Sequence, residues 1–230
     1  MKLIFEILAK IYNILSTNFE NIFYRKFKPK NELELKGFTV LRNELKSIID
    51  YSRTDYLVVN KYLRKLIFSN DDIDKILKKL FISEKLFDKI TKLTGFNYSV
   101  DFLIAYETLP ISDEDKSKGW YANHIHNDKP FSKNTLKLII PLETIESDNG
   151  PMEIISKENK INFSLNDDNN NFFKFSGYPN DIFIFKPNLC FHRAGIPKKN
   201  KIRKQIMLQL NPSKYWKYNK SLFKFQKIRE

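Results

Sequence analysis

The run His126-Asn127-Asp128 sets an imidazole and a carboxylate two residues apart. In a segment that reads as a strand from Trp120 to Asn127, this spacing sends both side chains to one face, the geometry of a two-residue metal clip. The sequence contains only three histidines, and the one remote from this stretch, His192, follows the strand-like run Asp181-Ile-Phe-Ile-Phe185. Two histidines and one carboxylate arriving from two strands leave coordination positions open, a donor set that suits non-haem iron. His124 shares the face of His126 and Asp128, so a slipped set using His124 is an alternative, and a surface pairing of His and Asp is another.

Such a site needs a rigid frame, and the second half of the chain reads as one. Strand-like runs separated by turn signals cover Phe96 to Leu109, Trp120 to Asn127, Thr135 to Glu143, Met152 to Ser156, Phe172 to Phe175, Asp181 to Phe185, Leu189 to Arg193 and Ile202 to Leu210. Asn149-Gly150-Pro151 marks a tight turn, while Ser112 to Gly119 and Leu165 to Asn171 are polar loops. Repeated short strands imply a jelly roll. Ahead of them, Gly37-Phe-Thr-Val-Leu41 reads as a short strand, and Arg42 to Tyr51 and Tyr56 to Phe81 carry apolar residues at helical spacing, with a cap at Asn70-Asp71-Asp72. A further helix opens at Ser83 and ends at Gly95. The expected architecture is α+β: one domain over 1–230, with a mainly helical support (1–95), a jelly-roll (double-stranded β-helix) core (96–212) and a basic tail (213–230) that forms a last helix over a sheet edge.

With 230 residues and 42% hydrophobic composition, the chain can bury one full core. The formal charge of +13 invites a polyanionic partner. The lysines are nevertheless scattered among Asn, Ile and Phe, and no nucleic-acid module is recognisable, so specific nucleic-acid binding is not expected. Cys190 is the sole cysteine, which rules out an internal disulfide and favours the cytoplasm. Met1 to Leu15 is apolar but interrupted by Glu6 and Lys10, with no cleavage site after it, so neither export nor a membrane span is expected. Its apolar residues make one helical stripe, read as packed across the outside of the domain. The less favoured alternative lays that stripe on a membrane, with Lys2, Lys10, Arg25, Lys26, Lys28 and Lys30 facing anionic headgroups.

The ordered set of motifs resembles the phytanoyl-CoA dioxygenase-like branch of the Fe(II)- and 2-oxoglutarate-dependent oxygenases. His126-Asn-Asp128 is similar to its HxD, Leu136-Lys-Leu-Ile-Ile-Pro-Leu142 to the strand after it, and Asn149-Gly150-Pro151 to its Asn-Gly-Pro turn. Gly177 to Phe185 resembles the strand leading to the distal histidine, and His192-Arg-Ala-Gly195 its His-Arg-Gly-Gly. The likeness spans roughly residues 37 to 212. It implies His126, Asp128 and His192 as iron ligands and catalytic residues, and Arg203 as the group that holds the far carboxylate of 2-oxoglutarate. A planar guanidinium can grip a carboxylate through two parallel hydrogen bonds, which lysine cannot reproduce. The alternative for Arg203 is a solvated surface cation. Related halogenases lack the carboxylate, so Asp128 favours hydroxylation.

The implied partners are therefore dioxygen and a small or carrier-bound substrate. His124 is expected at the substrate mouth, Lys137 against 2-oxoglutarate or on the sheet surface, and Arg193 either orienting the co-substrate or paired with a carboxylate outside the core. Trp120, Tyr121 and Asn123 are possible pocket residues. Two other classes compete: a non-catalytic jelly-roll module binding an anionic partner through its basic surface, and a cupin-type metal enzyme that does not use 2-oxoglutarate.

Overall fold

The computed structural model describes residues 2–52, 55–128, 132–159 and 171–218. A long helix, α1 (Lys2–Phe23), is followed by a single-turn helix, α2 (Glu32–Lys36), and the strand β1 (Phe38–Leu41). Asn31 caps α2 by accepting a hydrogen bond from Glu34 N. Gly37 closes it in the left-handed region, where a side chain would meet Cys190 Sγ.

Residues 42–51 are irregular, and Asp55–Asn60 (β2) and Leu63–Ile67 (β3) form a hairpin, so the helix expected from Arg42 onward begins only at Asn70. Tyr56, Val58 and Val59 explain the error: their apolar spacing fits either period, while β-branched and aromatic side chains prefer the pleated strand. Helix α3 (Asn70–Leu77) starts at a capping box made by Ser69 and Asp72. It runs through a π-helical turn (Lys78–Ser83) toward α4 (Leu86–Thr94), which Gly95 ends as expected.

The remaining strands are β4 (Asn97–Thr108), β5 (Leu136–Pro141), β6 (Met152–Ile154), β7 (Phe173–Phe175), β8 (Ile182–Phe185), β9 (His192–Ala194), β10 (Arg203–Ser213) and β11 (Lys217–Tyr218). They build a large sheet in the order β1-β8-β5-β10-β4-β3-β2, with β11 parallel to β4, and a small antiparallel sheet β7-β6-β9. Two facing antiparallel sheets with helices on one outer face make the expected jelly roll. The expected strand from Trp120 to Asn127 is absent. That stretch is a looped segment joined to β9 by an isolated bridge between His126 and His192 and by the bond from Ala194 N to Ala122 O. Its organiser is the buried Asn123, whose Oδ1 accepts from the amides of Trp120 and Tyr121 while Nδ2 donates to Lys118 O.

Strand alternation sorts the core into two layers. Leu136, Leu138 and Ile140 of β5, Ile182 and Ile184 of β8, and Ile206, Leu208 and Leu210 of β10 pack outward against Leu77, Leu80, Phe81, Leu86 and Ile90 of the helical layer. The intervening Ile139, Phe183, Phe185 and Met207 point the other way, toward Met152, Ile154 and Phe175 of the small sheet. The inward face of β5 and β10 is thus free to carry chemistry. The tail does not form a helix over its described part: Trp216 packs among Phe81, Phe87 and Tyr98, and its indole N–H donates to Thr91. Residues 219–230 and most of the polar loop at 165–171 lie outside the described residues.

Candidate active site

His126, Asp128 and His192 come together between the sheets, with one ligand atom from each lying within 4.8 Å of the others. Asp128 Oδ1 stands 3.6 Å from His126 Nε2 and 3.7 Å from His192 Nε2. Backbone pairing sets this spacing: His126 N donates to His192 O, and His192 N to His126 O, both at 3.0 Å. Asp128 N bonds Pro187 O, tying the carboxylate to the chain just before β9. Each ring is also fixed from behind. His126 Nδ1 lies 2.8 Å from His124 O and His192 Nδ1 3.1 Å from Cys190 O. A ring that donates from Nδ1 to a carbonyl presents the lone pair of Nε2 to the centre of the cluster. Burial pushes the His192 imidazole down to about 4 against the opposing pull of Asp128, so it is the neutral, ligating form near neutral pH. Two imidazoles and one carboxylate on one side of a point can hold a divalent metal.

Behind the cluster lies a cavity of about 190 Å³, lined mostly by apolar groups, including Ile104, Ile139, Phe185 and Met207. Arg203, at the start of β10, projects into it on the same face as Gln205 and Met207, as the alternation of the strand requires. The residue is only 1% exposed. Nη1 donates to Gly195 O at 3.1 Å, whereas Nε and Nη2, both buried, have no partner among the described residues. Desolvation pulls its pKa below the usual arginine range. A buried cation with unmet donors calls for an anionic ligand.

Several other assignments sort themselves. His124 is exposed, lies against Gly119 and is outside the cluster; only its carbonyl serves the site. Arg193 pairs with Glu153 on the small sheet. Trp120 is structural, its indole donating to Asp115 O with its ring edge-on to Tyr62. Tyr121 does line the cavity; burial raises its phenol to about 12, and the hydroxyl donates to Leu109 O.

Lys137 is the residue that sequence reasoning undervalued. It faces the cavity with Nζ 2.5 Å from Asp128 Oδ2. A lone lysine between Leu136 and Leu138, in a strand whose other residues are apolar, was the available signal. Gln205 and Tyr106, hydrogen-bonded to each other on the cavity wall, carried no comparable signal.

No protein-family model matches the sequence, and no curated protein matches it by sequence. Solved structures do share the fold. The non-heme alpha-ketoglutarate-dependent epimerase SnoN from nogalamycin biosynthesis superposes with a TM-score of 0.58 at 10% identity, covering 78% of each chain. The carbocyclase SnoK from the same biosynthesis gives 0.54 at 11% identity, over 77% of this chain and 80% of its own. HygX from Streptomyces hygroscopicus, with nickel and 2-oxoglutarate bound, gives 0.53 at 11% identity, over 81% and 87%. The chain thus has the jelly-roll fold on which these 2-oxoglutarate-dependent enzymes are built.

Proposed function

We propose that the chain is an Fe(II)- and 2-oxoglutarate-dependent oxygenase of the phytanoyl-CoA dioxygenase-like kind, hydroxylating an unactivated carbon of a small or carrier-bound molecule. The observation that carries this reading is the buried Arg203 guanidinium, with two unmet donors, in the cavity that His126 and His192 also line. A metal enzyme of the cupin kind acting on an uncharged substrate would have no use for such a group. The bound iron and 2-oxoglutarate supply the power to oxidise a C–H bond with dioxygen, releasing succinate and carbon dioxide. His126, Asp128 and His192 hold the metal on one side, and their carbonyl-anchored tautomers keep both Nε2 atoms aimed without rearrangement. Arg203 holds the far carboxylate of the keto acid by paired charge-assisted bonds. The Lys137 ammonium pairs with the second oxygen of Asp128, and the carboxylate would help hold the metal. The apolar wall of Ile139, Phe185 and Met207 keeps water from the reacting centre.

Anaerobic titration of the full chain with Fe(II) and 2-oxoglutarate tests the reading through the weak visible charge-transfer band of the chelate. The band is expected in the natural protein and absent in Asp128→Ala. A band that never forms, or that survives the substitution unchanged, would refute the assignment. Once a substrate is in hand, Asp128→Ala should also abolish succinate formation, whereas a cupin-type enzyme would stay active after Arg203→Ala.

A further inference from the structure

The long N-terminal helix is docked inside out. Successive residues step by about 100° around a helix, so Ala9, Asn13, Thr17 and Glu20 share one face. This is the face turned to the body: Ala9 and Thr17 are buried, Thr17 Oγ1 accepts from Lys133 N, and Glu20 Oε2 accepts from Ser132 Oγ and Asn134 Nδ2. The opposite face is apolar and points to solvent. Ile4, Leu8, Ile11, Leu15 and Ile22 are between 47% and 72% exposed. The sequence expectation of a stripe packed against the domain is therefore reversed, since polar groups make the attachment and the stripe covers nothing.

A contiguous apolar face of this size on a soluble surface marks a docking site. Its occupant follows from charge. Lys10, Lys28 and Lys30 are exposed on the helix and just beyond it, Phe27 stands 47% exposed beside Lys28, and the whole chain carries a formal +13. A second copy would bring an equal positive charge to the same face. An anionic bilayer surface instead offers apolar depth for the stripe and negative headgroups for the lysines. None of the described helices is long and apolar enough to cross a membrane, so α1 would lie in the interface plane.

We propose that α1 is an interfacial anchor that lays its outward apolar face on an anionic lipid bilayer. The anchor grips the body through Ser132, Lys133 and Asn134, in the connection that leads from Asp128 to β5.

The test is co-sedimentation of the full chain with vesicles of phosphatidylcholine alone and of phosphatidylcholine mixed with phosphatidylserine, at low and high salt. Binding to the mixed vesicles is expected, weakened by salt and by removal of phosphatidylserine. Leu8→Glu/Leu15→Glu changes only exposed positions and should cut that binding at least about tenfold while leaving the thermal midpoint unchanged. Sedimentation equilibrium of the same two proteins separates the competing occupant. No binding to mixed vesicles, binding indifferent to the double substitution, or a dimer of the natural chain that the substitution dissociates would each overturn the proposal.

Discussion

Replacing Arg203 by Met separates a residue kept for a ligand from one kept for the fold. Methionine matches the length of the arginine stem but has no donors. In the ligand-free protein the change removes a buried charge whose Nε and Nη2 have no partner among the described residues; relieving an unsatisfied charged donor is worth about 1–3 kcal/mol. Losing the bond to Gly195 O offsets about 1 kcal/mol of that gain. The variant should therefore be as stable as the natural protein or up to ~2 kcal/mol more stable, which for a chain of this size raises the thermal midpoint by up to about 4–8 °C. Ligand binding should move the other way. Truncating one side of a buried charge pair costs about 2–5 kcal/mol, and a mid-range ~3 kcal/mol corresponds to about a hundredfold weaker 2-oxoglutarate binding. Scanning fluorimetry of the metal-free proteins gives the first number, and anaerobic titration of the chelate band gives the second. A variant that melts well below the natural protein yet binds 2-oxoglutarate with unchanged affinity would refute the reasoning and make Arg203 a structural residue.

Two further perturbations probe the frame. Gly150 lies at φ +64 with its Cβ direction blocked 2.4 Å away by backbone atoms of Ile196 and Pro197; Gly150→Ala should lose at least ~2 kcal/mol, read as a fall in thermal midpoint of roughly 4–8 °C. Burial alone would raise the Asp181 carboxyl, but hydrogen bonds from Tyr178 N, Asn43 N and the Arg42 guanidinium more than reverse this and hold it below its ordinary value of 3.8. A depressed acid stabilises the fold fully above that ordinary value and loses its contribution as pH falls below it. Acid unfolding of Asp181→Asn, followed by circular dichroism, should accordingly lack part of the natural protein's dependence on pH in that window.

The cluster of His126, Asp128 and His192 was legible because its residue types are scarce. With three histidines in the chain, His126 and His192 had few rivals, and Arg203 fell on the inward side of a strand whose alternation is clear. The surrounding geometry was less so. Trp120 to Asn127 carries aromatic residues typical of strands, but a side-chain amide, Asn123, outcompetes sheet pairing by bonding three backbone groups. The β2–β3 hairpin hid within an apolar spacing that also fits a helix. For α1, the pattern revealed an apolar face but not its direction, which depends on what Ser132 to Asn134 offer from another part of the chain. For Lys137 the sequence left the co-substrate and the sheet surface as alternatives, because its partner, Asp128, is brought to it only by folding.

The mutual backbone bonds of His126 and His192 also bear on when the centre can come into being. As the chain leaves the ribosome, His126 and Asp128 emerge first, while β5, β6, β7 and β8 must all be made before His192 appears opposite them. Until then two donors on an unpaired segment form at best a weak, exchangeable grip, since a metal site rarely exists before its fold. On the proposed reading, firm metal binding would wait until both sheets are in place and the third donor closes the cluster. The order of synthesis would then leave metal uptake to the finished jelly roll.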